Sequence, residues 1–178
     1  MLTDTDILTE TEFNYLFNVV KNSANGNCLF ESIEHILIYS DYEFAHGITK
    51  SSRIRKMVCD FYKNFDRDID YPESTIEYRI KMGILFDNID EDGLEHDSNI
   101  SNDKVWASMT DLLICSLLFK MNIQLYVSQT KVTLEDNDEI ISVTTYELSN
   151  IKTQYNFKTT ARLLYSDANH FEALDRKM

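Results

Sequence analysis

The 178 residues include one proline and four glycines. That is too few for the Pro/Gly-rich stretches that separate domains, so a single domain spanning residues 1–178 is expected. Cysteine is scarce and odd in number. Cys28, Cys59 and Cys115 show no Cys-x-x-Cys spacing, which argues against a disulfide framework and a structural zinc site. A reducing, intracellular, cytoplasmic setting is the simpler expectation. Basic residues are in deficit: Lys and Arg number 17 against 30 Asp and Glu, a net charge of -13. Nucleic acids and anionic membranes, whose phosphates need Lys and Arg, are therefore disfavoured as partners. Solubility, or a basic partner, is favoured. No apolar run approaches the roughly 18 residues of a membrane span, and the first twenty residues lack the basic start of a secretory leader. What is present, 43% hydrophobic and 26% charged residues, is ordinary for a globular domain able to bury well over half of its unfolded surface.

The first half reads as helical. Thr9 and Glu12 have capping-box spacing, and Phe13, Leu16, Val19 and Val20 follow at helical intervals. The polar run Asn22–Asn27 breaks that pattern. Helical periodicity resumes from Cys28 to Tyr39, with Asn27 as the expected N-cap. A second amphipathic helix spans 51–65, with Ile54, Met57, Val58, Phe61 and Phe65 inward. Pro72 suits the first position of another, continued by Ile76, Ile80 and Leu85. Residues 87–103 read as an acidic loop, and Asp103 as the cap of a helix through Trp106, Met109, Leu112, Leu113, Leu117 and Phe119. Strand patterns dominate afterwards, at 123–127, 140–148, 162–165 and 170–174. The layout is α+β: a small central, mostly antiparallel sheet packed between helices, with a helix-rich N-terminal half.

Asn25-Gly26-Asn27-Cys28-Leu29-Phe30 carries the most chemistry. A thiol attacks only as thiolate, and a helix N-terminus favours that form. The same unpaired N–H groups can hold an oxyanion, and Gly26 allows a tight turn. Taken alone, Cys28 reads better as a small buried hydrophobe, which is how Cys59 and Cys115 read within their helices. A cysteine nucleophile needs a base. His35 lies two turns along the nucleophile's own helix, His46 in a loop and His96 in the acidic stretch. His170 opens a strand after a turn, where a side chain is held at a fixed position. Its orienting partner is either Glu172, on the same strand face, or the adjacent Asn169.

These residues match a known family. Asn25–Phe30 resembles the ovarian-tumour (OTU) protease signature Asp-Gly-Asn-Cys-Leu-Phe, differing at Asn25. Asn169–Leu174 resembles that family's C-terminal His-aromatic-acid/amide block. Arg53–Val58 and Trp106–Leu112, followed by Ile123–Tyr126, resemble its intervening helices and strand. The resemblance covers about residues 20–175. It implies a papain-like OTU fold, no metal, no cofactor, and hydrolysis of isopeptide or peptide bonds at the C-terminus of ubiquitin. In that reading Cys28 is the nucleophile, His170 the base, and Glu172 or Asn169 the orienting group. The N–H groups of Asn25, Gly26, Asn27 and Cys28 line the oxyanion hole. Glu172 stands where Asp or Asn is usual, so its longer side chain must pack differently.

Ubiquitin or polyubiquitin is the implied partner, and the protein is expected to act as a monomer. Ubiquitin presents an apolar patch and a basic tail, so Asp87, Asp90, Glu91, Asp92, Glu95 and Asp97 are candidates for tail binding. The alternatives are an inactive OTU-like module that binds ubiquitin, a protease for a ubiquitin-like modifier, and a non-enzymatic domain in which Cys28 is structural. A compact protease of this kind fits a viral or bacterial effector acting in host cytoplasm.

Overall fold

The computed structural model describes residues 7–39, 50–90, 93–166 and 170–178. His46, Glu91, Asp92 and Asn169 lie outside them. The elements run β1 (Ile7–Thr9), α1 (Glu10–Leu16), β2 (Phe17–Val20), α2 (Cys28–Tyr39), α3 (Ser51–Asn64), α4 (Ile76–Phe86), α5 (His96–Asn99), α6 (Met109–Phe119), β3 (Met121–Leu134), β4 (Ile140–Ile151), β5 (Thr159–Ser166) and β6 (His170–Arg176). The strands form one six-stranded sheet in the order β1-β4-β3-β5-β6-β2. β3 and β5 run parallel and the other neighbouring pairs antiparallel, the α+β layout expected.

Alternation along the strands divides the core between the two faces of the sheet. Ile123 and Leu125 of β3, Leu163 of β5 and Phe171 of β6 join a large cluster with Leu29 and Ile33 of α2 and Leu112 of α6. Tyr126, Leu164 and Leu174, of opposite parity, join Phe13 and Phe17 on the other face, where Phe13 stacks on Tyr146 at 3.8 Å between ring centroids. α6 carries apolar residues on several sides, as a largely enclosed helix must, and Leu112, Leu113, Ile114 and Cys115 are all buried. It crosses α4 at Gly83, where an added Cβ would lie 2.1, 3.1 and 3.2 Å from Oγ1, Cγ2 and Cβ of Thr110.

Several boundaries differ from the sequence expectation. The Thr9–Glu12 capping box is present, but α1 ends at Leu16. Val19 and Val20 instead pair with Leu174 and Ala173 of β6, since ladder bonds to a buried strand outweigh a weak helical propensity. Pro72 precedes α4 in a turn, accepting from Thr75 N–H, and Thr75 is the N-cap. Ile76, Ile80 and Ile84 face inward at four-residue spacing, which rotates Leu85 outward to 55% exposure. Asp103 caps nothing: α6 starts from a Ser108–Asp111 capping box, leaving Trp106 outside the helix. The acidic stretch contains the short α5. β3 and β4 stay paired as far as Leu134 and Ile140, well past the last pairings of β5 at Val127 and of β1 at Thr145. A two-stranded ribbon results, with Val132, Leu134 and Ile140 exposed and Glu135, Asp136, Asp138 and Glu139 at its tip.

Gly83→Ala should destabilise the protein by about 1–3 kcal/mol despite the roughly 1 kcal/mol helix-propensity gain of alanine. Rotating the β-branched Thr110 leaves its Cβ in place. Chemical denaturation of the single variant and of Gly83→Ala/Thr110→Ala checks this, with the second change restoring part of the loss.

Candidate active site

Cys28 is the first residue of α2 and its side chain is fully buried. The preceding loop is folded on itself. Asn25 N–H donates to Ser23 O at 2.8 Å and Cys28 N–H to Asn25 O at 3.2 Å. Asn27 N–H donates to Asn25 Oδ1 at 2.9 Å, a bond in which the amide oxygen serves as well as a carboxylate would. Gly26 N–H takes part in none of these bonds. Gly26 passes so close to the 103–104 backbone that a Cβ would lie 2.7 Å from Asp103 O and 2.8 Å from the Lys104 carbonyl carbon, which restricts this position to glycine.

The loop is held by a residue of the Arg53–Val58 segment. Arg55 of α3 is 2% exposed. Its guanidinium donates to backbone carbonyls of Gly26 at 2.7 Å, Ile100 at 2.8 Å, Asn102 at 3.0 Å, Val105 at 3.1 Å and Asp103 at 3.3 Å. It also donates to Asn27 Oδ1, at 2.9 and 3.2 Å, and sits 4.6 Å above the Phe30 ring. Asn27's side-chain oxygen is thus turned to Arg55 rather than serving as the expected cap. The signal available in the sequence was its place in the Arg53–Val58 segment, on the helix face that carries Cys59 and Tyr62 rather than the one that carries Arg53 and Lys56.

His170, the first residue of β6, lies opposite Ser166 of β5. The amide of the next residue, Phe171, donates to Cys28 Sγ at 3.5 Å, so the histidine is one residue from the atom that touches the thiol. The Phe171 carbonyl is tied back to the same turn. Asn22 Nδ2 reaches Phe171 O at 2.8 Å, Cys28 O at 3.1 Å and Ser32 Oγ at 3.0 Å. The sequence reading took Asn22 only as a helix breaker; here it joins the nucleophile helix to the histidine strand. Nδ1 of His170 is buried with no hydrogen-bond partner among the described residues. Nε2 lies 3.7 Å from Glu172 Oε2, an electrostatic distance rather than a hydrogen bond. Glu172 is 4% exposed, and the same Oε2 lies 3.3 Å from Lys21 Nζ.

Burial pushes the Cys28 thiol up; the amides of Phe171 and Leu29 oppose this, and the Glu31 carboxylate adds to it. The helix start alone therefore does not deliver the thiolate expected from position. A thiol in such a setting depends on a neighbouring base to become a thiolate. Cys59 and Cys115 are pushed up by burial too, so burial does not distinguish the three; the company of His170 does.

The other described histidines are engaged elsewhere. His35 Nε2 lies 3.0 Å from Asp175 Oδ1. His96 is clasped between Asp90 Oδ1 at 2.5 Å and Asp111 Oδ2 at 2.7 Å, and Tyr62 OH donates to the other Asp111 oxygen at 2.6 Å. Two acids of the 87–97 stretch are thereby spent inside the protein: Asp90 on His96, and Asp97 on Arg67 and Asn88. Asp87 and Glu95 are exposed.

A buried thiol, a histidine whose strand touches its sulfur and a carboxylate behind that histidine are the parts of a thiol hydrolase. The family comparison agrees. The model described as OTU-like cysteine protease matches residues 23–171, and the chain belongs to that family. No curated protein matches it in sequence. The viral OTU domain protease from Qalyub virus is similar in structure, with 16% identity, a TM-score of 0.53, and 96% of this chain and 89% of that one covered. So is an OTU deubiquitinase from Wolbachia pipientis wMel bound to ubiquitin, with 16% identity, TM-score 0.52, and 90% and 96% covered. A third is the viral OTU domain protease from Taggert virus, with 14% identity, TM-score 0.54, and 93% and 83% covered. At these identities the likeness establishes the fold.

Two measurements check the supports of the site. Arg55→Met should cost at least about 3 kcal/mol, because each buried acceptor left unpaired costs about 1–3 kcal/mol. Urea unfolding reads the loss, and Arg55→Lys should recover only a minor part, since an ammonium cannot span this fork of carbonyls. His96 gives a pH test. Burial works against its charged form, but the hydrogen bonds and charges of Asp111 and Asp90 outweigh that and raise it from 6.5 to about 9. A raised folded value means that its contribution is complete below pH 6.5, the unfolded value, and is lost as pH rises through about 9. The stability gap between wild type and His96→Gln should therefore narrow from pH 6 to pH 10.

Proposed function

We propose that the chain is a deubiquitinating cysteine protease that cleaves isopeptide or peptide bonds at the ubiquitin C-terminus. The observation that carries this reading is the Phe171 amide on Cys28 Sγ, which sets the His170 strand against the nucleophile. His170 Nδ1, the ring nitrogen with no described partner, takes the thiol proton. The thiolate attacks the carbonyl carbon of ubiquitin's terminal glycine. Amides of the Asn25–Cys28 turn receive the oxyanion, Gly26 N–H being the one not engaged within the turn. The imidazolium then protonates the departing lysine amine, leaving a thioester. Water, deprotonated by the now neutral His170, attacks this thioester, and the regenerated thiol leaves with its proton. Glu172 supports the positive charge on the imidazole between these steps. Exposed Asp87 and Glu95 are the described members of the acidic stretch left to meet the basic tail of ubiquitin. Ubiquitin stands in the Wolbachia structure and in another similar OTU domain complex, which supports it as the substrate.

A second reading has its own observation. Full burial of Cys28, with its thiol pushed up, also suits a ubiquitin-binding module without turnover. Ubiquitin bearing a C-terminal electrophile separates the two. The protease reading expects a covalent adduct that is absent in Cys28→Ala and forms about 10²–10⁴-fold more slowly in His170→Ala. Saturable ubiquitin binding by folded protein without any adduct would establish the binding module instead.

A further inference from the structure

We propose that Lys21 is a positioning residue of this centre: by holding the Glu172 carboxylate, it sets how strongly that carboxylate supports the protonated form of His170. The inference rests on the Cys28–His170 reading above. Lys21 directly follows β2, whose last residue, Val20, pairs with Ala173 of β6. One more step of the antiparallel register brings Lys21 opposite Glu172. Its Nζ lies 3.3 Å from Oε2 and 3.5 Å from Oε1, so the ammonium spans both oxygens. His170 Nε2 is farther away, at 3.7 Å from Oε2.

The Glu172 side chain is 5% exposed while that of Lys21 is 80% exposed. A buried carboxylate needs a counter-ion. Lys21 supplies one from solvent while His170 is neutral. Once His170 has taken the thiol proton, two cations share one carboxylate, and the imidazolium receives only part of its field. Without the Lys21 ammonium, the whole carboxylate charge would face the imidazolium.

The carboxylates and imidazole that line a cavity with Lys21 are those of Glu31, Glu34 and His35 of α2, and His35 is engaged by Asp175 of β6. Cys28 interacts electrostatically with Glu31, Arg55 and Tyr165. None of them touches Lys21 among the described contacts, so a change at Lys21 acts through Glu172.

The test compares the 178-residue chain with Lys21→Met, Lys21→Arg, Glu172→Gln and the double variant Lys21→Met/Glu172→Gln. Each is read by the pH dependence of Cys28 alkylation with iodoacetamide, with Cys28→Ala giving the background from the other thiols. The alkaline limb of the profile should move up by about half a pH unit in Lys21→Met, a modest shift because the lysine is largely solvated. It should stay in place in Lys21→Arg, and Lys21→Met should have no effect in the Glu172→Gln background. A loss of packing alone would not move the limb, and thermal melts of each variant confirm folding. An unmoved limb in Lys21→Met, or the same shift without the Glu172 carboxylate, overturns the proposal. Alkylation needs no ubiquitin, so failure to form the ubiquitin adduct counts against the protease reading while the alkylation profile still decides the role of Lys21.

Discussion

The guanidinium of Arg55 stands where three stretches of chain meet without regular hydrogen bonding between them: the turn before Cys28, the segment from Ile100 to Val105, and the Phe30 face of α2. Loops of this kind cannot be buried unless their backbone carbonyls find donors. A single planar cation with five N–H groups supplies them where water is shut out. Its distances explain why Gly26 can pass within contact of the Asp103 and Lys104 backbone, and why the nucleophile turn keeps one shape. The rest of the site inherits its geometry from that anchor. Asn22 then carries it across to β6, bonding the Cys28 and Phe171 carbonyls at once.

Reactivity at Cys28 results from competition between burial and nearby dipoles, and burial wins. Burial of this kind also slows adventitious oxidation, since oxidants react with the thiolate. The second buried ionic group, Asp90–His96–Asp111 with Tyr62, has a different task. It fastens the acidic stretch and α5 to α3 and α6, and so holds the floor beneath the segment that Arg55 grips.

The sequence made the long, strongly patterned parts legible. α2 runs from Cys28 to Tyr39 as its periodicity indicates, and the four later strands fall where alternation puts them. That the strand opening at His170 lies against Cys28 was legible because motif and order agreed. Short elements were not legible: Phe17–Val20 carries too little pattern to reveal a strand until β6 is there to pair with it. Asp103 looked like a helix cap because the cost of helix formation there could not be seen. The carbonyls of Ile100, Asn102, Asp103 and Val105 are turned toward Arg55 and cannot also build a helix. Asp90 and Asp97 looked like available surface charge because their partners His96 and Arg67 are fixed by the fold. Asn22 read only as a helix breaker and Lys21 carried no pattern, yet their side chains reach a strand about 150 residues away.

The β3–β4 ribbon has a consequence of a different kind. Beyond Val127 and Thr145 its backbone edges lie outside the described pairing, and Val132, Leu134 and Ile140 face solvent. Such an edge is a template for a strand from any source, another copy included. Four carboxylates at the tip, Glu135, Asp136, Asp138 and Glu139, meet head-on whenever two ribbons approach tip to tip, and so act as gatekeepers against stacking. Screening by salt weakens that repulsion over a Debye length of about 10 Å at 0.1 M. The colloidal behaviour of concentrated solutions is therefore governed by the hairpin and its counter-ions rather than by the depth of the folded core.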